Sequence, residues 1–161
     1  MSEATGLVAV GEATEPRISY AVARLERAVR TAISERVAPY GLTTLQYTTL
    51  SVLHRHGAPL SNAQLARRAY MTPQSMSEVI DALQEKGLIK RNRHPNHGRL
   101  LPARLTPKGR RVLGACEKAV DELEDTMLAD LSAAEREAFL HALKSAVRAL
   151  GAGFPHDEGR A

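Results

Sequence analysis

Residues 60–109 decide the fold, and they read LSNAQLARRAYMTPQSMSEVIDALQEKGLIKRNRHPNHGRLLPARLTPKG. Ser61 to Gln64 match a capping box, in which the serine caps one free backbone amide and the glutamine reaches back to another. Thr72 is a good N-cap, and Pro73 suits the first helical position because its missing N–H is not needed there. The turn between these two helices is about three or four residues long, which is the length expected of a helix-turn-helix.

A basic β-hairpin follows the second helix of this pair. We predict paired strands at residues 88–90 and 99–105, around a tip at 93–98 that is rich in turn-forming residues. Pro102 favours an exposed edge over a central strand. A two-stranded ribbon of this kind can lie along phosphates and insert arginine into a narrow minor groove. Its basic residues are Lys90, Arg91, Arg93 and Arg99.

The positive charge of the chain is concentrated in this stretch. Residues 61–111 hold eleven Lys or Arg against three acids, whereas residues 112–161 hold five against ten. A run of charge is usually a solvated face, but here the excess falls on the helix-turn-helix and hairpin, where a polyphosphate would lie. The pattern therefore favours binding to double-stranded DNA.

Helices are predicted on both sides of the basic segment, because apolar residues recur there in steps of three and four. The fold class is mainly α with a small two-stranded β-hairpin wing, a winged helix-turn-helix with long N- and C-terminal dimerisation helices. We expect Phe139, Leu143, Val147 and Leu150 to point inward on the last helix. The predicted regions are a disordered arm (1–15), an N-terminal dimerisation helix (16–41), the winged helix-turn-helix DNA-binding region (42–109), C-terminal dimerisation helices (110–151) and a loose tail (152–161).

Composition narrows the class of protein. No apolar run approaches the ~20 residues needed to cross a bilayer, and the first sixteen residues do not match a secretion signal. A single cysteine, Cys116, excludes an intrachain disulfide and fits a reducing compartment. We therefore expect a cytoplasmic protein with no membrane partner.

The order and spacing of the motifs over residues 17–150 resemble the MarR family of bacterial transcriptional regulators. The matching motifs are Leu42-Thr43-x-x-Gln46-Tyr47, Leu60-Ser61-x-x-x-Leu65-Ala66, Thr72-Pro73-Gln74-Ser75-x-Ser77, Gly87-Leu88-Ile89-x-Arg91, Gly98-Arg99 and Leu105-Thr106-Pro107-Lys108-Gly109. The resemblance implies a homodimer with one winged helix-turn-helix on each lobe. It also implies a repressor that binds pseudo-palindromic operators and is released by a small aromatic or phenolic effector.

The resemblance and the residue pattern together predict the contacts with DNA. Polar side chains in the first turns of a recognition helix meet base edges, and basic side chains of the wing meet the backbone. Where the family usually has a wing acid, this chain has His97, which leaves Arg99 without that bridge and adds a group that gains charge in mild acid. The predicted DNA-binding residues are Ser61, Thr72, Gln74, Ser75, Ser77, Glu78, Arg91, Arg93, His97 and Arg99.

An effector site is predicted at Arg27, Thr44 and Tyr47, which lie where relatives line a pocket. Arg27 is able to pair with a carboxylate or phenolate. The alternative is that Tyr47 belongs to the core and Arg27 to the surface or the dimer interface.

Other classes of function are less well supported. No phosphate loop, nucleophile elbow or helical zinc motif is found, so we expect no catalytic residues, no cofactor and no enzyme activity. A metal-responsive regulator would use His54, His56, His94, His97 or Cys116. The spacing of His94 and His97 suits a metal, but the predicted tip offers no nearby cysteine or pair of acids to complete a zinc site. His54 and His56 are two residues apart at a helix end and do not share a face. An oxidation sensor would need an exposed, acidic thiol, whereas Cys116 lies on an apolar seam. A winged helix that binds protein remains open.

Overall fold

The structure is a computed structural model that describes residues 15–92 and 102–151. Outside the described residues lie positions 1–14 of the predicted arm, the whole of the predicted tail, and the hairpin tip with Arg93 and His97. Three of the predicted paired-strand residues, at 99–101, lie outside them as well, and Arg99 is one of these. The described elements are α1 (Ile18–Val37), a short 3-10 turn (Ala38–Tyr40), α2 (Thr44–His56), α3 (Asn62–Arg68), α4 (Pro73–Glu85), β1 (Ile89–Lys90), β2 (Arg104–Leu105), α5 (Pro107–Met127) and α6 (Ala133–Ala149).

Side-chain caps start the helices where the sequence predicts them. Thr43, Ser61 and Ser132 each accept a hydrogen bond from the amide three residues on, and the Gln or Glu side chain at that position accepts one from the backbone amide of the cap residue. Thr72 and Thr106 cap α4 and α5 in the same way, each followed by proline. These caps satisfy backbone amides that a helix leaves without partners. The predicted helix starts are confirmed.

The core lies beneath the helix-turn-helix and the hairpin. Side chains of α2, α3, α4, β1, β2 and the first half of α5 share one apolar cluster, and Leu50, Leu65, Met76 and Ile80 have no exposed surface. The predicted inner face of α4 is confirmed, since Met76, Ile80 and Leu83 are buried and Val79 is partly buried. We call this unit, residues 42–92 and 102–120, the winged lobe.

The two described strands of the hairpin are each two residues long. β1 and β2 are antiparallel, with Ile89 opposite Leu105 and Lys90 opposite Arg104. Leu60 extends the pairing by exchanging two backbone hydrogen bonds with Ala103, at 3.1 and 2.8 Å. The chain that enters α3 therefore lies directly beside the wing.

A close approach of two backbones joins the hairpin to α5. The Thr106 hydroxyl caps the Gly109 amide at 2.9 Å and donates to the Gly87 carbonyl at 2.7 Å. A Cβ on Gly109 would lie 2.0 Å from the carbonyl oxygen of Leu88. Only glycine fits at this position without a shift of the backbone.

The terminal helices differ from the prediction. Phe139, Leu143 and Val147 are only partly buried, α6 contains no buried residue, and Leu150 is 87% exposed. The prediction that Leu150 points inward is wrong for the single chain. The apolar stripe of α1 is likewise buried only at its end, because Val37 has no exposed surface while Ile18 is 83% exposed.

Candidate nucleic-acid interface

The first turns of α4 present polar side chains to solvent. Gln74 and Glu78 are exposed and lie one turn apart on the same face. Thr72 accepts a hydrogen bond from the Ser75 amide at 3.1 Å and donates to the Ser75 hydroxyl at 2.9 Å. The N-cap therefore fixes Ser75 as well as the start of the helix. Amide and carboxylate groups in this position are able to read base edges in a major groove.

Two of the predicted DNA-binding serines also hold the helix-turn-helix together. Ser61 caps α3 by accepting from the Gln64 amide at 3.2 Å. Ser77 accepts from the Asn62 side-chain amide at 3.0 Å, and the same Asn62 nitrogen donates to the Pro73 carbonyl at 2.9 Å. Asn62 thus ties the start of α3 to the first turn of α4. It was missed by the sequence reasoning, because a polar residue inside a capping box gives no signal of a distant partner.

Arg91 is held against the second half of α4. Its guanidinium donates to the Asp81 carboxylate at 2.7 Å and to the Gln84 side chain at 3.4 Å, and its side chain is only 11% exposed. This contact joins the residue that follows β1 to the second half of α4. The predicted DNA contact of Arg91 remains a prediction, and it would require the guanidinium to keep or exchange this carboxylate partner.

Two lysines of the basic segment are used inside the protein. Lys86, just after α4, donates to the Gly41 carbonyl and to the Gln46 side chain, and Gln46 is itself nearly buried in the capping box of α2. Lys108 donates to the Lys86 carbonyl at 2.8 Å. Cations are favourable at these carbonyl-rich helix ends. Their charges therefore position α4 relative to α2 and α5.

A cavity of about 830 Å³ lies between the winged lobe and the terminal helices. Tyr47 lines it, as the sequence predicts, whereas Arg27 and Thr44 do not. Its charged lining is mixed, with Arg55, Arg68 and Lys144 facing the same space as three acids of α5. The full lining is Ile33, Tyr47, Thr48, Ser51, Val52, Arg55, His56, Arg68, Ala69, Tyr70, Glu117, Val120, Asp121, Glu124, Leu140 and Lys144.

The Tyr47 hydroxyl keeps its proton. Burial and the nearby Glu117 carboxylate raise the pKa of Tyr47, and Arg55 only partly opposes them. A neutral phenol that lines this cavity is able to donate a hydrogen bond to a carboxylate or phenolate ligand.

Comparison with known proteins identifies the chain. Residues 40–100 match the MarR family model. The transcriptional repressor Rv2887 of Mycobacterium tuberculosis is 33% identical over 135 residues, which cover 84% of this chain and 96% of the relative. The chain belongs to the MarR family. It is therefore a DNA-binding transcription regulator and not an enzyme.

Two solved structures of this MarR-family relative resemble the fold. The complex of Mycobacterium tuberculosis Rv2887 with DNA has a TM-score of 0.66 at 30% identity, covering 81% of this chain and 98% of that one. Its complex with p-aminosalicylic acid has the same TM-score at 32% identity and the same coverage. The winged helix-turn-helix fold predicted from the sequence is confirmed.

The single cysteine of this MarR-family chain lies in the core. Cys116 has no exposed surface, and burial together with the Glu117 charge raises the pKa of its thiol. A buried thiol that holds its proton is a poor nucleophile, so this environment is typical of a structural cysteine. Within residues 15–92 and 102–151, no three His, Cys, Asp or Glu side chains are grouped so as to hold a metal ion. In the same part of the chain, no helix is long and apolar enough to cross a membrane.

Proposed function

We propose that this chain is a repressor that binds a pseudo-palindromic operator as a homodimer and is released by a small aromatic or phenolic ligand. The observation that carries the proposal is the exposed polar first half of α4, held in place by the Thr72 cap and the Asn62 clamp. The similarity to a repressor with a solved DNA complex supports it. A regulator of this kind acts on chromosomal DNA, so we place it in the cytoplasm.

Selection of bound fragments from genomic DNA tests operator binding. We expect an inverted repeat whose half-sites are centred about one helical turn apart, because a two-fold dimer presents two recognition helices with that spacing. Affinity for the selected operator should fall steeply with salt, since phosphate contacts release counterions. Binding that is independent of salt or of sequence would contradict the proposal and favour a protein-binding module.

Substitution at the exposed face of α4 tests base reading. Gln74→Ala should reduce affinity for the preferred base by about 1–3 kcal/mol and weaken discrimination at one position of each half-site. Lys118→Ala on α5 is the matched control, because its exposed side chain lies outside the winged helix-turn-helix motif. Equal losses from both variants on all sequences would contradict base reading by Gln74.

Exposed apolar side chains on the terminal helices support the homodimer. Ile18, Val22, Leu140 and Leu150 are 83, 46, 51 and 87% exposed, and all lie on α1, on α6 or at its end. Large exposed apolar side chains of this kind are typical of an interaction surface, and two-fold pairing is the commonest way to cover one. Sedimentation should give twice the chain mass at micromolar concentration.

A charge introduced among these exposed apolar side chains tests the proposed dimer interface. Leu150→Asp should raise the dimer dissociation constant roughly tenfold or more, because each copy of the interface loses an apolar contact and gains a charge. Glu85→Ala on the winged lobe is the control, and it should leave the dissociation constant unchanged. A monomeric wild-type chain that still binds its operator would contradict the dimer.

The 830 Å³ cavity supports the effector part of the proposal. Salicylate is a suitable probe, because its carboxylate matches the cations of the lining and its ring matches Tyr47 and Val52. We expect salicylate to weaken operator binding, as a ligand does when it binds the DNA-incompetent arrangement more tightly. Tyr47→Phe should reduce this effect severalfold, since the hydroxyl donor is lost.

Arg27→Ala is the matched control for the effector test, because Arg27 is exposed on α1 and does not line the cavity. If Arg27→Ala abolishes the salicylate effect and Tyr47→Phe does not, the ligand binds elsewhere, nearer the site predicted from Arg27. No effect of salicylate at concentrations that saturate binding would exclude it as an effector.

A further inference from the structure

A second cavity lies at the base of the hairpin, on the winged lobe. Its volume is about 620 Å³, and three cations line it, namely Lys90 of β1, Arg104 of β2 and Arg110 of α5. His54 near the end of α2 and the connecting residues 57–59 also line this cavity. Among the lining residues there is no acid. We call this feature the hairpin-base cleft.

The charges of the hairpin-base cleft repel one another. Lys90 and Arg104 are opposite in register, and their side chains are exposed. Like charges directly opposite on a β-ladder are destabilising. The neighbouring Arg91 is neutralised by Asp81, whereas Lys90, Arg104 and Arg110 form no ion pair within residues 15–92 and 102–151. An uncompensated cluster of this kind favours an anionic partner.

The start of α5 adds to the positive potential. Pro107 lines the cleft at the first position of this 21-residue helix, whose N-terminal end carries partial positive charge. The three cations and the helix end therefore converge on one space from β1, β2 and α5. A phosphate group is the anion best matched to arginine and lysine side chains.

The position of the cleft favours a phosphate of duplex DNA. The connection that lines it runs through Leu60 into the Ser61 cap of α3, and β1 and β2 lead into the wing. An open cleft with exposed cations suits a duplex, which presents a charge for every ~1.7 Å of its axis. We propose that the hairpin-base cleft binds backbone phosphates of the duplex that flanks each operator half-site. This inference rests on the proposed operator binding.

Duplex length tests the proposal. The operator obtained by selection is compared in two forms, one trimmed to the half-sites and one with ten extra base pairs on each side. For wild type, the longer duplex should bind more tightly and show a steeper dependence on salt. The double variant Lys90→Ala/Arg104→Ala should lose this advantage and reduce the salt slope by about 1–2 on the long duplex, since each phosphate contact contributes about 0.9.

Matched variants separate charge from structure. Lys90→Arg keeps the charge and should retain the flank effect, whereas Lys90→Gln/Arg104→Gln should lose it like the alanine pair. Lys118→Ala removes one exposed charge of α5 away from the cleft and should change neither duplex. Thermal unfolding of each variant checks that the winged lobe is intact, and removing a like-charge pair should not lower the melting temperature.

Three outcomes would overturn the inference. The first is an equal loss of affinity on long and trimmed duplexes, and the second is an unchanged salt slope in the double variant. The third is thermal stabilisation of wild type by inorganic phosphate that the double variant lacks, with no flank effect, because it would assign the cleft to a free anion. Failure of wild type to select any sequence contradicts the proposed function itself, so the two failures are distinguishable.

Discussion

The winged lobe and the terminal helices are built from the same kind of apolar periodicity, but only the lobe buries it. Leu60, Leu65 and Ile80 have no exposed surface, whereas no residue of α6 is buried and Leu150 is 87% exposed. Polar contacts differ in the same way. Hydrogen bonds from the side chains of Asn62 and Lys86 join elements of the lobe that are distant in sequence. The lobe therefore buries its apolar residues within one chain, whereas α6 leaves its own exposed or only partly buried.

This difference shows what an apolar helix face does and does not specify. The stripe of residues three and four apart fixes which side of a helix avoids water. It does not say whether the partner is another part of the chain or a second copy. The prediction that Leu150 points inward is wrong for the single chain for this reason.

Two leucine substitutions should show the largest difference in stability between the winged lobe and the terminal helices. Leu65→Ala should reduce the free energy of unfolding by about 2–5 kcal/mol, because it leaves a cavity in a core that cannot fully collapse. Leu150→Ala makes the same chemical change at an exposed site and should have little effect on the unfolding of a single chain. Urea unfolding of both variants, repeated at several protein concentrations, gives the two values.

The dependence of the unfolding free energy on protein concentration distinguishes the two variants. The loss from Leu65→Ala should be the same at every concentration, while any loss from Leu150→Ala should appear only where wild type is a dimer. A loss of several kcal/mol from Leu150→Ala in the monomer would mean that the terminal helices are complete within one chain.

Two glycines of α5 test the same difference within one helix, because this helix begins in the lobe and ends outside it. Gly109→Ala should destabilise the protein by about 1–3 kcal/mol, since the new Cβ would meet the Leu88 carbonyl and the backbone would have to shift. Gly114→Ala is the control in the same helix, where an added Cβ meets nothing within 4 Å. It should stabilise by about 0.5–1 kcal/mol through helix propensity.

Thermal unfolding measures both glycine variants. Equal effects of Gly109→Ala and Gly114→Ala would show that the junction between hairpin and helix tolerates a side chain. The sequence gives no direct sign of this junction, although the Thr-Pro-Lys-Gly start of α5 marks a helix cap.

Local signals explain why so much of the fold is predictable. The caps at Ser61, Thr72 and Thr106 depend on residues within three positions of each other, so their chemistry is visible in the sequence. Helix periodicity then places the core side chains of α4 correctly. Contacts between distant elements give no such signal, and the Asn62–Ser77 and Lys86–Gln46 hydrogen bonds were missed for that reason.

The sequence predicts the DNA-facing residues of α4 better than it predicts the lining of the cavity. Polar residues early in a recognition helix are expected to face DNA, and Gln74 and Glu78 are exposed there. Charge alone is a poorer guide, because Lys86, Arg91 and Lys108 of the basic segment have partners inside the protein. The cavity is formed by five helices or their ends, so a sequence pattern on one helix identified Tyr47 but not Arg55 or Lys144.

Alkaline pH gives the smallest expected effect, and it too depends on the burial that distinguishes the lobe. Burial raises the pKa of Cys116 above its ordinary value of 9.0 and that of Tyr47 above 10.0. The unfolded chain then releases these protons at a pH where the folded chain keeps them. The free energy of unfolding should therefore hold below pH 9 and fall as the pH rises above it, by about 1.4 kcal/mol for each unit of pKa difference. Urea unfolding at pH 8 and pH 10.5 checks this, and Cys116→Ala should make the fall shallower. An equally steep fall in Cys116→Ala and Tyr47→Phe would place the titrating groups outside the core of the winged lobe.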